Sequence, residues 1–223
     1  MFRLAVVMLA FMLAGCASAP ETIYVSCTPD KLVVVDVQRQ RIVHTLKVGS
    51  LPRGIAFTPD GKLAFVANSG SENVSVVDTE ELKVIKTIPV GTKPNDVAVT
   101  PEGEVVLVSL QGEGALAVID VKTLETLMKV GVGAEPMGIA LSGDGYTSYV
   151  ADSRSGTLSM VSTAAFEREK MLSIGGKPMD VAVLPDGRVV VADSAGEVLF
   201  LEGDPLRITN RVPREKAWGV AVK

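Results

Sequence analysis

A repeat of 42 residues runs through most of the chain. Its clearest marker is a turn sequence that ends in glycine, found at residues 59–61, 101–103, 143–145 and 185–187. A second glycine keeps the same spacing at Gly49, Gly91, Gly133 and Gly175, and each is followed three residues later by a proline. A repeat of this length indicates one supersecondary unit copied along the chain. Because the spacing does not drift, we expect contiguous units within one domain.

Each unit contains four short apolar segments separated by turn residues. In the second complete unit these segments are residues 96–100, 105–109, 116–120 and 124–130. Apolar runs of this length between turn signals predict β-strands. The Pro-Asp-Gly sequence predicts a tight turn between the first two strands, with glycine in a left-handed conformation. Asp78 and Asp120 are expected to cap the turn between the third and fourth strands, and Ser162 stands at the equivalent position of a later repeat.

One segment, residues 164–171, has the local composition of a helix because it reads AAFEREKM. Its place in the repeat indicates otherwise. Ser162 occupies the position that Asp78 holds two repeats earlier, so the segment corresponds to a fourth strand. We predict a strand there, since tertiary context overrides weak local propensity.

Four strands in a repeat of this length are typical of a β-propeller blade. Residues 22–48 supply three strands before the first complete unit, and residues 218–222 supply one after the last, which together make a composite closing blade. The sequence therefore predicts an all-β, five-bladed propeller of four-stranded antiparallel blades. Its complete blades are expected at about residues 53–90, 95–132, 137–174 and 179–212. A six-bladed ring that uses a degenerate segment is the alternative.

The N-terminus has a different character. Arg3 precedes an apolar run over residues 4–13, which is too short to cross a bilayer and is typical of a signal peptide. The run ends in Leu-Ala-Gly-Cys at residues 13–16, which resembles the lipobox of bacterial lipoproteins. The resemblance implies removal of residues 1–15 and lipidation of Cys16. An ordinary signal peptide cut near residues 17–19 is the alternative.

The lipobox resemblance also predicts a location. Residues 16–21 would form a short tether to a single domain over residues 22–223, anchored in the membrane by acyl chains. Ala17 favours the outer membrane of the bacterial cell envelope, without deciding between its periplasmic side and the cell surface. Residues 22–26 are interpreted as the second strand of their blade, so the chain enters from the face opposite the loop-rich one. We expect this back face to lie near the membrane.

Several strings in the repeat resemble the YVTN family of β-propeller repeats. They are FVANS at 65–69, YVADS at 149–153, VGTKP at 90–94 and NVSVVD at 73–78. The resemblance covers nearly all of the mature chain and implies the propeller fold. It does not imply one activity, because such repeats occur in surface-layer proteins, lactonase-like enzymes and subunits of periplasmic dehydrogenases.

Few residues that carry chemistry are present. The sole histidine, His44, falls in a predicted outermost strand, and Cys27 is the only thiol left once Cys16 is lipidated. No motif for haem attachment, phosphate binding or a serine nucleophile occurs. The formal net charge of -4 does not favour a nucleic-acid partner. We therefore expect no catalytic residue, no metal site, no cofactor and no nucleic acid.

The remaining candidate site is the face formed by the blade-joining loops and the loops that follow the second strands. Its predicted residues are Arg53, Asn68, Asn95, Asp96, Asp152, Asp180, Asp193 and Trp218. A protein or peptide partner is favoured, since tryptophan and arginine are enriched at interfaces. Two alternatives remain. The four aspartates would hold a divalent ion in a lactone-type hydrolase, or the protein would be an accessory subunit of a periplasmic redox enzyme.

Overall fold

The structure is a computed structural model that describes residues 22–213 and 219–220. This part of the chain contains nineteen β-strands in five sheets. Among these residues no helix is long and apolar enough to cross a membrane. Cys16, the predicted tether and Trp218 lie outside the described residues.

The sheets are numbered here as blades in chain order. Blade 1 contains β1 (Thr22–Cys27), β2 (Lys31–Asp36) and β3 (Arg41–Lys47). Blade 2 contains β4 (Pro52–Phe57), β5 (Leu63–Asn68), β6 (Asn73–Asp78) and β7 (Lys83–Pro89). Blade 3 contains β8 (Pro94–Val99), β9 (Val105–Leu110), β10 (Ala115–Asp120) and β11 (Glu125–Gly131). Blade 4 contains β12 (Pro136–Leu141), β13 (Thr147–Asp152), β14 (Thr157–Ser162) and β15 (Glu167–Ser173). Blade 5 contains β16 (Pro178–Val183), β17 (Val189–Asp193), β18 (Glu197–Glu202) and β19 (Arg207–Pro213).

Consecutive strands pair antiparallel within every blade, and the first strands of neighbouring blades contact one another. The first strands β4, β8, β12 and β16 are therefore innermost, and the fourth strands are outermost. This arrangement confirms the predicted five-bladed propeller. Of the closing strand predicted at residues 218–222, only Gly219 and Val220 are described.

The turns follow the predicted chemistry. Gly61, Gly103, Gly145 and Gly187 all have a left-handed φ, between 71° and 86°. The carboxylate of Asp78 accepts hydrogen bonds from the amides of Glu80 and Glu81, at 2.9 and 2.8 Å. The hydroxyl of Ser162 accepts the amide of Ala165 at the equivalent turn. The predicted strand after that turn is β15, so the helical composition of residues 164–171 does not decide its structure.

The apolar core lies between neighbouring blades. Phe65 of β5 packs with Val97 and Val108 of blade 3, whereas the adjacent Val66 packs with Leu32 of blade 1. Alternate residues of a strand point to opposite faces, so each middle strand contributes to two interfaces. Packing between blades therefore holds the ring together.

The outermost strand of each blade contains a β-bulge, where one residue has no partner on the neighbouring strand. The bulged residues are Val43, Ile85, Leu127, Glu169 and Thr209. A bulge on an edge strand interrupts its row of hydrogen-bonding groups and hinders the addition of a strand from another molecule.

Candidate functional site

Four equivalent positions lie near the start of the innermost strands β4, β8, β12 and β16, and a fifth lies in the segment of the predicted closing strand. In chain order they are Gly54, Asp96, Gly138, Asp180 and Gly219. Glycine and aspartate alternate because each aspartate occupies space that a neighbouring side chain would need. A Cβ atom on Gly54 would lie 2.6 Å from Oδ1 of Asp96, and one on Gly138 would lie 2.8 Å from Cα of Asp180.

The two aspartates join neighbouring blades by hydrogen bonds. Oδ2 of Asp96 accepts the amide of Ile139 at 2.9 Å, and Oδ2 of Asp180 accepts the amide of Val220 at 3.0 Å. The hydroxyl of Ser109 adds a second link between blades 3 and 4, since it donates to the carbonyl of Met137 at 2.7 Å. The axial aspartates therefore have a structural role that the sequence did not show.

Burial changes the ionisation of this pair. Burial, and secondly the negative charge of Asp180, raise the pKa of Asp96 from 3.8 to about 7. Burial also raises the pKa of Asp180. Both shifts arise because a carboxylate loses its hydration inside the protein, and the nearby charge of Asp180 further disfavours ionisation of Asp96.

The predicted residues at the ends of the second strands are buried. Asn68, Asp152 and Asp193 are at most 1% exposed, which removes them from the surface that a partner would touch. Asp152 accepts the hydroxyls of Thr157 and Ser159, at 3.0 and 2.7 Å, and burial raises the pKa of its carboxyl group.

The other two buried residues at these strand ends also bond within the protein. Asp193 accepts the amides of Lys177 and Ala195, both at 2.7 Å. The amide nitrogen of the Asn68 side chain donates to the Ser75 hydroxyl at 2.9 Å. These polar groups thus organise their own loops, as buried polar groups commonly do.

What remains exposed on the loop face belongs to the blade-joining loops. Arg53 is exposed and Asn95 is half-buried, in agreement with their predicted position. Leu51, which is 46% exposed, and the exposed Lys93 were not predicted. Both have a left-handed φ, at 50° and 52°, directly before the prolines that begin β4 and β8. Each follows a glycine of the repeat, Gly49 or Gly91, by two residues, and this shared spacing could have identified both positions from the sequence.

The structure does not bring the four aspartates into one cluster. Asp96 and Asp180 face the axis, whereas Asp152 and Asp193 serve separate second-strand loops. Among residues 22–213 and 219–220, no group of three or more His, Cys, Asp or Glu side chains is placed to hold a metal ion. The four aspartates therefore do not form, within this part of the chain, the single cluster that the divalent-ion alternative predicts.

A groove of about 450 Å³ lies on the opposite, back face between blades 2 and 3. The turns that follow β4 and β8 and the end of β6 form its walls, with the acidic residues Asp60, Asp78, Glu80 and Glu102. Asp60 accepts the Thr58 hydroxyl and the amide of Lys62, at 2.6 and 3.1 Å. The carboxylates of Asp60 and Asp78 thus bond to the groove's own turns.

Comparison with known proteins agrees with this architecture. The model of the YNCE-like β-propeller family matches residues 13–188. No curated protein matches the chain significantly.

Two solved structures show the same fold. The hydrazine synthase of Kuenenia stuttgartiensis is similar with a TM-score of 0.80 and 24% identity, over 86% of this chain and 63% of that one. A functionally unknown protein from Desulfotomaculum acetoxidans DSM 771 is similar with a TM-score of 0.78 and 17% identity, over 89% of this chain and 70% of that one. The present chain thus spans less than two thirds of the hydrazine synthase chain.

Proposed function

Because the chain belongs to the YNCE-like β-propeller family, we propose that it is a non-catalytic interaction module, tethered to a membrane of the bacterial cell envelope through lipidated Cys16. Its loop face binds a protein or peptide. The observation that supports this role most directly is that different residues of the loop face hold the loops in place and remain exposed to solvent. The buried Asn68, Asp152 and Asp193 organise the loops, and the blade-joining residues above them stay exposed.

The exposed residues stand on fixed loops. The carbonyl of Leu51 accepts the amide of Ser69, and the carbonyl of Lys93 accepts the amide of Gln111, both at 3.0 Å. Each blade-joining loop is therefore bonded to the loop that follows the second strand of its blade. A partner that binds such a surface pays little to order it, which favours affinity.

The charge of the face suggests the chemistry of the partner. Arg53 and Lys93 belong to neighbouring blades, and among the described residues neither forms an ion pair. The exposed apolar side chain of Leu51 lies two residues from Arg53. An acidic segment with an apolar anchor would complement this patch, since complementary charge steers association and selects the partner.

Photo-crosslinking in intact cells tests the proposal. A crosslinking amino acid at Arg53 should capture one discrete partner, and the same amino acid at Asp144, in a back-face turn, should not. Arg53→Glu together with Lys93→Glu, introduced beside a crosslinker at Asn95, should abolish the adduct. Lys62→Glu together with Arg188→Glu reverses two exposed charges on back-face turns and should leave it unchanged. Equal adducts from Arg53 and Asp144 would contradict the loop face as the binding surface.

A second candidate function is an accessory subunit of a redox enzyme in the envelope. The likeness to a chain of a hydrazine synthase motivates it, because a propeller of this architecture occurs there. Purification of the complex captured through Arg53 distinguishes the two roles. A partner that carries haem or flavin absorbance supports the redox assembly, whereas a partner without a visible chromophore supports the simple interaction module.

A further inference from the structure

The outer edge of blade 1 differs from the edges of the other blades. This first-blade edge comprises the β2–β3 turn and β3, residues 37–47. It exposes three large apolar side chains: Val37 at 36%, Ile42 at 63% and Val43 at 41%. Val43 is the bulged residue, without a partner on β2. The apolar groups therefore project from the rim instead of packing between blades.

The first-blade edge is also basic, although the whole chain has a formal charge of -4. Residues 37–47 contain Arg39, Arg41, His44 and Lys47 and no acidic residue. Arg39 pairs with Asp36 at 2.9 Å, and Lys47 lies 3.9 Å from Asp30. Arg41 has no carboxylate partner among the described residues, so its charge is available on the surface.

Comparison with the equivalent residues of the repeat shows that only the blade 1 edge lacks an acidic residue. Where blade 1 has Arg39, blade 2 has Glu81. Where blade 1 has Arg41, blades 3 and 4 have Glu125 and Glu167. Basic residues that flank exposed apolar side chains are typical of surfaces that bind anionic lipid headgroups. The other edges also expose apolar side chains beside basic residues, such as Ile85 beside Lys86, but each of them contains an acidic residue.

The register of blade 1 puts this edge beside the point where the chain enters the domain. Thr22, the first residue of β1, pairs with Asp36, and Asp36 pairs with Arg41. Two strand spacings, about 10 Å, therefore separate Thr22 from Arg41. The five residues between Cys16 and Thr22 reach at most roughly 17 Å. A lipid on Cys16 is thus within reach of Arg41, Ile42 and Val43.

We infer that the first-blade edge lies on an anionic membrane surface, where its apolar side chains enter the headgroup region and Arg41 contacts lipid phosphates. The inference rests on the proposed lipid tether and places the rim of blade 1, in place of the whole back face expected from the sequence, against the membrane. Strand addition by a second copy is a poorer fit, because the bulge at Val43 interrupts the edge of β3.

Fluorescence quenching on vesicles tests this orientation. The full lipidated chain carries Cys27→Ser and one introduced cysteine, either Val43→Cys or Glu169→Cys, labelled with an environment-sensitive fluorophore. Glu169 is the matched control because it is the bulged residue of blade 4. In vesicles of phosphatidylglycerol and phosphatidylethanolamine with a lipid-borne quencher, the label at position 43 should be quenched several-fold more than that at 169.

Charge variants separate electrostatic attraction from mere proximity. Arg41→Glu should reduce the quenching at position 43, as should vesicles of phosphatidylcholine alone. Arg207→Glu, at the first residue of β19, should leave the quenching unchanged.

The possible failures have distinct signatures. A chain that does not float with any vesicle lacks the tether, which removes both the proposed anchoring and this inference. A chain that floats but shows equal quenching at positions 43 and 169 keeps the tether and overturns the orientation. Shielding of position 43 that persists in detergent indicates a second copy on this edge, which also overturns it.

Discussion

Oδ2 of Asp96 accepts a hydrogen bond from the amide of Ile139 at 2.9 Å, so one side chain of blade 3 holds the innermost strand of blade 4. A neutral carboxyl group accepts this bond through its carbonyl oxygen. The ionised group accepts it too, but has lost the water that stabilised its charge. The strength of this link between blades therefore depends on pH.

We expect the free energy of unfolding to fall as the pH rises towards neutrality. The pKa of Asp96 is 3.8 in the unfolded chain and about 7 in the folded protein. Its contribution is fully present below the unfolded pKa and is lost as the pH rises through the folded pKa. Asp96→Asn keeps an acceptor oxygen but cannot ionise, so the slope should become smaller in this variant, and the remainder comes from Asp180 and Asp152, whose pKa values are also raised. Urea unfolding at about pH 5 and pH 8 measures it, on a scale of about 1.4 kcal/mol per unit of pKa difference.

Asp60→Asn is the control for this experiment. Asp60 is exposed, and its bond from the Thr58 hydroxyl lowers its pKa. Its contribution is present above the unfolded pKa and is lost as the pH falls, which is the opposite sign. The Asp60 variant should therefore keep the slope between pH 5 and 8. A slope of unchanged size in Asp96→Asn would show that Asp96 does not contribute to it.

Gly138→Ala should destabilise the ring at its axis. The new Cβ atom would lie 2.8 Å from Cα of Asp180, so the backbone of blade 5 would have to move. Overpacking of this kind costs about 1–3 kcal/mol. Gly143→Ala is matched in chemistry but meets no atom within 4 Å, and its effect should stay within about 0.5 kcal/mol. Chemical denaturation measures the free energy of unfolding of both variants. Equal losses of this free energy in the two variants would refute the steric explanation.

Thr163→Val should cost about 1 kcal/mol, the typical net value of one hydrogen bond. The hydroxyl of Thr163 donates to the carbonyl of Gly145 at 2.6 Å and ties the third-to-fourth-strand turn to the first-to-second-strand turn of blade 4. Thr79 makes the same bond to Gly61 in blade 2. Thr45→Val, at an exposed position of β3, should change the unfolding free energy by less than about 0.5 kcal/mol. Thermal unfolding compares the stability of the two variants. An unchanged stability in Thr163→Val would contradict a stabilising role for the hydrogen bond to Gly145.

Cys16→Ala should release the protein from the membrane, because anchoring at the envelope depends on buried acyl chains. Cell fractionation measures the shift, and mass spectrometry of the wild-type N-terminal peptide identifies the lipid. Cys27→Ala retains Cys16 and should stay with the membrane. Membrane retention of the Cys16 variant would contradict lipid anchoring at this residue.

The fold was predictable because local spacing determines it. The left-handed glycines of the turns, the caps at Asp78 and Asp120 and the strand nature of β15 all follow from position in the repeat. Each depends on residues close in sequence, so one repeat explains the next. The number of blades then follows from the strands left over at the two ends.

The candidate site was only partly predictable, because burial at the strand ends depends on the neighbouring loop. The repeat places Asp152 at the end of β13, but Gly133 decides its exposure: a Cβ atom there would lie 2.5 Å from Cγ of Asp152. Gly49 covers Asn68 in the same way, at 2.7 Å from its Cγ. A spacing of 19 residues between each glycine and the polar residue it covers was present in the sequence. Its meaning requires the packed ring.

The alternation of glycine and aspartate at the axis has a geometric consequence for a ring of five. An odd number of positions cannot alternate throughout, so Gly219 and Gly54 are neighbours. Asp96 joins blade 3 to blade 4, and Asp180 joins blade 5 to Val220. Between blades 1 and 2 and between blades 2 and 3, the equivalent positions are Gly219 and Gly54, which have no side chain to form such a bond. At its inner edge, blade 2 relies on apolar packing with blades 1 and 3. If mechanical force opens the propeller ring, we expect blade 2 to separate first from one of its neighbouring blades.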